Sequence, residues 1–193
     1  MIAILDYGAG NITSVKNLLN LLNVESCITS NIEELNSADK IIFPGVGHAQ
    51  FAMNQLRQLQ LVEFIKNYQK PFLGICLGLQ LMCQYSEEGR TECLGIIPAK
   101  VSKFPEKGII PHMGWNNIDL SGDNLIFKDI PSGSDFYFVH SYYVEKNPFC
   151  IAQCNYLLDF CAAVQKNNFY GVQFHIEKSS ELGKKIMQNF INL

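Results

Sequence analysis

The first half of the chain alternates short apolar runs with segments of helical spacing, and few folds accommodate that rhythm. Ile2–Leu5, Lys40–Phe43 and Pro71–Ile75 are too short for helices and carry almost no polar residue, so they read as strands buried on both faces; Glu25–Thr29 is a further strand candidate. A helix is predicted from Asn11, with Ile12, Val15, Leu18, Leu19 and Leu22 on one side, and others over Leu61–Tyr68 and Leu77–Tyr85. Strand–helix alternation implies a mostly parallel central sheet flanked by helices.

After Gly95 the pattern changes to closely spaced strands, Ile96–Phe104, Met113–Asp119, Phe136–Val144, Ile151–Tyr156 and Phe160–Gln165. Lys166-Asn167-Asn168-Phe169 reads as a hairpin turn, and Ser179 as the cap of a last helix carrying Leu182, Ile186 and Phe190. The fold expected is α/β with an antiparallel β elaboration in the second half. With no repeat, linker or low-complexity stretch, residues 1–193 are expected to form a single domain.

Hydrophobic residues make up 48 % of the chain and charged residues 17 %, against roughly 25 % charged in an average soluble protein. That leaves a generous interior and apolar surface to spare for a partner. A net charge of −3 with no basic run argues against a nucleic-acid target. Asp6 interrupts the apolar start, and no stretch approaches the roughly 18 apolar residues of a membrane span, so no signal peptide and no membrane association are expected. Seven cysteines without a C-x-x-C pair fit neither a disulfide framework nor a zinc site, and point to a reducing cytoplasm.

One cysteine stands apart. Gly74-Ile75-Cys76-Leu77-Gly78 lies where a buried strand hands over to a helix, the thiol counterpart of the G-x-S-x-G elbow. A thiol there sits at a helix N-terminus, which favours thiolate, and the Leu77 amide is placed to donate to an oxyanion. A nucleophilic thiol needs a base. His175 follows the apolar run Tyr170–Phe174, and Glu177 two residues on shares its face if the strand continues, so the carboxylate can orient the imidazole. Pro44-Gly45-Val46-Gly47 ends another buried strand. Its glycines allow a peptide N–H to turn toward a site beyond the strand ends, though the segment reads equally as an ordinary strand-to-helix turn. Gly8-Ala9-Gly10 lacks the third glycine of a dinucleotide fingerprint.

With these residues in view, the chain resembles the class I glutamine amidotransferases, and among them the glutaminase subunits of imidazole glycerol phosphate synthase. The elbow Gly74–Gly78 with Leu79-Gln80 and the His-x-Glu of 175–177 are shared by the class. Asp6–Asn11, Pro44–Gly47, Ser86–Gly89, Pro111–Asn116, Phe138–Tyr143 and His175–Ser179 carry the narrower likeness. The resemblance implies a flavodoxin-like amidotransferase fold. It also implies a Cys76–His175–Glu177 triad, an oxyanion hole from Val46 and Leu77, and glutamine-binding positions at Gly47, Gln80, Glu88, Ser141 and Tyr142. No cofactor or metal is implied.

The implied chemistry is hydrolysis of L-glutamine through a Cys76 thioester. The ammonia would pass to a cyclase/synthase subunit docked as a heterodimer, with Trp115 at the interface, and would serve histidine biosynthesis. The alternative acceptor is a sugar amidotransferase of surface-polysaccharide synthesis, served by paralogues with the same motifs. Two positions depart from the usual pattern: Ile176 stands where the family has proline, and His48 follows the Pro44–Gly47 turn where a small residue is commoner.

Overall fold

The computed structural model describes all residues from Met1 to Leu193. The first half holds β1 (Ile2–Leu5), α1 (Ile12–Leu21), β2 (Ser26–Thr29), α2 (Ile32–Ser37), β3 (Lys40–Gly45), α3 (Ala49–Gln58), α4 (Leu61–Asn67), β4 (Phe72–Cys76) and α5 (Leu77–Met82). The second half holds β5 (Cys83–Ser86), β6 (Thr91–Glu92), β7 (Ile97–Lys103), β8 (His112–Leu120), β9 (Ser134–His140), β10 (Tyr142–Val144), β11 (Cys150–Tyr156), β12 (Leu158–Lys166), β13 (Phe169–Val172) and α6 (Ser180–Ile191).

The strands run in the order β2-β1-β3-β4-β13-β12-β10-β7-β5-β6, with β11, β8 and β9 branching from β12. The first five are parallel to one another, whereas β12 and β10 are antiparallel to their neighbours. This is the mostly parallel sheet with an antiparallel elaboration that the residue patterns imply. The apolar strands are buried on both faces because alternate side chains enter different cores. Ala3, Leu5, Ile41 and Phe43 join one core with α3 to α5, while Ile2, Ile4, Ile42 and Leu73 join the other with α1 and α6. The two cores hold 29 and 28 buried residues, the near-equality required of a sheet covered on both sides.

Local chemistry sets several boundaries differently from the sequence reading. The helix expected over Leu77–Tyr85 stops at Met82, because Cys83–Ser86 pairs with β7 as a parallel strand. The run Phe136–Val144 is two strands: β9 pairs with β8, β10 pairs with β7 and β12, and Ser141 lies at the break. Ser179 stands at the head of α6 but its hydroxyl does not cap it. The hydroxyl donates to the His175 carbonyl at 2.6 Å and accepts from the Tyr137 N–H at 3.0 Å. The hairpin at Asn167-Asn168 forms as expected, with Asn167 in the left-handed region that asparagine tolerates. No helix is long and apolar enough to cross a membrane.

Candidate active site

β4 ends on Cys76 and α5 begins on Leu77, with no residue between them. The chain manages this by placing Cys76 at φ +54°, ψ −110°, a conformation that costs a non-glycine residue roughly 1–3 kcal/mol. The glycines on either side are demanded by close approach. A Cβ on Gly78 would lie 2.0 Å from the Phe43 carbonyl oxygen, and one on Gly74 would lie 2.8 Å from the backbone of Gly78. Strand and helix can therefore meet at this angle only without side chains there. The Cys76 side chain faces a cavity of ≈ 360 Å³, a volume that suits a small metabolite.

His175 and Glu177 reach this point by a route other than a continuous strand. β13 ends at Val172, and Ile176–Lys178 form a 3-10 turn, so periodicity of two does not apply. The turn nonetheless brings His175 Nδ1 to 2.8 Å from Glu177 Oε1, both side chains being 2 % exposed or less. The Tyr137 carbonyl, at 2.9 Å from the His175 N–H, and the Ser179 hydroxyl fix the backbone around the imidazole. His175 Nε2 is buried with no hydrogen-bond partner, and the imidazole lines the same cavity as Cys76. Burial alone would lower the imidazole pKa. The neighbouring Cys76 and the Glu177 carboxylate more than reverse this and raise it to about 10. An imidazolium that persists through neutral pH beside a thiol is the electrostatic setting of a cysteine nucleophile.

The remaining expected residues converge on the same cavity. Val46, Gly47, Leu77, Gln80, Glu88, Ser141 and Tyr142 all line it, together with Cys76 and His175. Gly45 pairs with Cys76 across β3 and β4, so the turn begins beside the sulfur. Gly47, at φ +102°, holds a backbone shape that a side chain would strain. The Leu77 N–H belongs to the first residue of a helix and has no partner within it. Glu88 Oε2 accepts from the Ala49 N–H at 2.7 Å, tying the far wall to the head of α3.

Trp115 lies outside the cavity, 54 % exposed on β8, two residues from the 66 % exposed Met113 on the same face. His48 does not line the cavity either. Its Nδ1 accepts from the Gln50 N–H, and its ring sits where a Cβ on Gly89 would approach within 2.6 Å. It thus braces the Pro44–Gly47 turn against the Glu88 loop. Ile176 points into the core at 1 % exposure and does not line the cavity.

Several neighbours of the site escape residue-by-residue reading. Pro111, Val139, His140 and Lys178 complete the cavity wall. Gln173 is fully buried, with Nε2 at 3.6 Å from Cys76 Sγ. Asn11, expected only as a helix start, reaches Glu177 Oε1 at 3.4 Å through its side-chain amide. Nothing in an isolated amide marks it as part of a site; for Asn11 only its place in the segment 6–11 hints at one, and Gln173 lies in none of the family-like segments. The other six thiols lie outside the cavity, and burial raises the pKa values of Cys83, Cys93, Cys154 and Cys161.

A strained cysteine elbow, a buried His–Glu pair and a parallel sheet define a thiol hydrolase class, and comparison with known proteins narrows it. The family model for class-I glutamine amidotransferases matches residues 3–193, and the chain belongs to that family. Within it, the sequence is 49 % identical over 195 residues to the imidazole glycerol phosphate synthase subunit HisH of Bacteroides fragilis strain YCH46, covering 100 % of this chain and 99 % of that protein. The HisH subunit of Escherichia coli K12 is 46 % identical over 194 residues, with the same coverage. Among solved structures, a putative GMP synthase protein from Thermoplasma acidophilum superposes with a TM-score of 0.78 at 22 % identity, covering 99 % of this chain and 92 % of that one. PurLQS from Thermotoga maritima gives 0.75 at 16 % identity, covering 99 % and 97 %.

Proposed function

We propose that residues 1–193 form one glutaminase domain, the ammonia-producing subunit of an imidazole glycerol phosphate synthase. The buried Cys76–His175–Glu177 arrangement within a family-matched elbow carries this reading. The Cys76 thiolate attacks the side-chain amide carbon of L-glutamine. The tetrahedral oxyanion accepts hydrogen bonds from the Leu77 and Val46 N–H groups, an interaction worth roughly 10²–10³ in turnover per donor. His175 then gives its Nε2 proton to the departing nitrogen, releasing ammonia and leaving a glutamyl thioester on Cys76. Water attacks the thioester with His175 as base, glutamate leaves, and the thiolate–imidazolium pair is restored. Glu177 holds the tautomer and the charge of His175 throughout. Gly47, Gln80, Glu88, Ser141 and Tyr142 would hold the amino-acid end of the substrate.

Free ammonia would be lost to water and protonated, so a docked acceptor is part of the proposal. The names of the 46–49 % identical relatives support a partner that completes a synthase of histidine biosynthesis, and the exposed Met113 and Trp115 offer an apolar docking face. Seven free thiols fit a cytoplasmic setting. The test measures glutamate release by the chain alone, with a cyclase subunit from the same organism, and with cyclase plus its ribonucleotide substrate. Low activity alone and strong stimulation in the last mixture are expected. Full activity in the lone chain would refute a partner-controlled site. Glutamine binding without stimulation would favour the sugar-amidating acceptor.

A further inference from the structure

A line of buried polar groups runs along the cavity wall, and three of them, His112, His140 and Gln173, have no part in the chemistry above. His112, at the start of β8, pairs in register with His140, at the end of β9, and the two are 3 % and 6 % exposed. His112 Nδ1 lies 3.0 Å from His140 Nε2, and His140 Nδ1 lies 2.7 Å from the Tyr142 carbonyl oxygen. A carbonyl oxygen only accepts, so His140 carries its proton on Nδ1 and its Nε2 is bare. His112 must then donate through Nδ1, leaving its own Nε2 to accept from the Asn116 amide at 3.2 Å. Each ring is confined to one tautomer. Burial lowers the pKa of His112 to about 4 and that of His140 to about 3, so both rings are neutral at physiological pH and neither link is reversed by a second proton.

The Tyr142 carbonyl takes a second hydrogen bond from the opposite side, from Gln80 Nε2 at 2.8 Å. The same amide nitrogen donates to Gln173 Oε1 at 2.9 Å, which leaves Gln173 Nε2 toward Cys76 Sγ. An amide has an oxygen end and a nitrogen end of nearly equal shape. Gln80 therefore sets which end of Gln173 meets the sulfur, and the Tyr142 carbonyl sets which way Gln80 turns. With Gln80 reversed, Gln173 would reverse too and would present an oxygen to a thiolate.

We propose that His112 and His140 are positioning residues for the nucleophile. By anchoring the Tyr142 carbonyl they lock the order of the Gln80 and Gln173 amides, so that an N–H and not an oxygen meets Cys76 Sγ. The inference rests on Cys76 being the nucleophile. A donor aimed at the sulfur favours the thiolate, whereas an oxygen there disfavours it.

The test is the pH dependence of Cys76 alkylation by iodoacetamide in the full-length chain, with Cys76→Ala as the blank, alongside kcat and KM for glutamine in the complex with the partner. In His140→Ala the alkylation midpoint should rise by about one pH unit, leaving about tenfold less thiolate at a fixed pH below it. Turnover should fall while KM changes less. His140→Asn, whose amide can replace the Nδ1 donor to Tyr142, should recover part of the shift. His112→Phe keeps the stacking against Phe138 and Tyr156 but removes the N–H toward His140, so it should shift the midpoint in the same direction by less. It decides the question if His140→Ala does not fold. An unchanged midpoint in whichever of these two variants is folded would overturn the proposal. A shifted midpoint in a chain that never hydrolyses glutamine would keep the relay and sink the activity. Labelling of Cys76→Ala equal to that of wild type would sink both.

Discussion

Gly78→Ala tests whether the elbow depends on backbone contact between α5 and β3. The added Cβ would sit 2.0 Å from the Phe43 carbonyl oxygen and 3.1 Å from its carbon, whereas ordinary contact begins near 3.4 Å. About 1.4 Å must be opened, and both partners are backbone, so no rotamer change relieves the clash. Overpacking of this kind costs roughly 1–3 kcal/mol, which for a chain of this size lowers Tm by roughly 2–4 °C per kcal/mol. The expected loss is therefore about 2–12 °C. The activity cost should exceed the stability cost, because Phe43 leads directly into the Pro44–Gly47 turn and Gly78 follows Cys76 by two residues. Moving one against the other separates the sulfur from the proposed Val46 donor, and a misplacement of about 1 Å can cost about 10²-fold in rate. Gly95→Ala is the control, since a Cβ there meets nothing within 4 Å and only the φ of +70° is strained. Thermal melting and partner-stimulated glutamate release should separate the two variants. A Gly78→Ala protein with wild-type Tm and turnover would refute the account of the elbow.

Cys76→Ala should retain the fold and lose glutamate release, while Cys83→Ala and Cys161→Ala should lose stability only, as read by urea unfolding and turnover. The raised pKa of His175, about 10 against 6.5, makes its charge a source of stability that is complete below about pH 6.5 and lost as pH rises through about 10. The difference in unfolding free energy between wild type and His175→Gln should therefore shrink between those limits; a difference that grows with pH would contradict the pairing. Ile176→Pro should keep turnover within a few-fold, because His175 at φ −87°, ψ 104° already has the extended backbone that a following proline requires. The smaller buried side chain should cost about 1–2 kcal/mol, measured by denaturant unfolding.

The buried parallel strands were legible because sheets covered on both faces need uninterrupted apolar runs, and Ile2–Leu5 and Phe72–Ile75 supply them. The sequence reading assigns no helix to 32–37 or 49–58. α2 is six residues long with only Leu35 buried, whereas α3 buries Ala49, Ala52, Met53 and Leu56 at helical spacing, a periodicity present in the sequence that the reading passes over. β5 was hidden because Cys83–Ser86 continues a helical pattern, and only pairing with β7 makes it a strand. Strand geometry pairs His175 with Glu177 in the sequence, yet a 3-10 turn brings them together in the fold. Reactive side chains announce themselves by type. Asn11 and Gln173 do not, since their contribution lies in the direction of one hydrogen bond.

The distribution of thiols gives the protein an internal clock for its own breathing. Cys83 belongs to the core on one side of the sheet and Cys154 to that on the other. Burial leaves Cys83 fully covered and raises the Cys154 pKa to about 12, so neither reacts from the closed state. Their modification by a slow thiol reagent, after Cys76 has been blocked, reports how often each layer of helices or strands lifts from the sheet. The ratio of the two rates measures whether the faces open together or one at a time. A partner docked near Trp115 that quieted one thiol and left the other unchanged would reveal which layer it holds down.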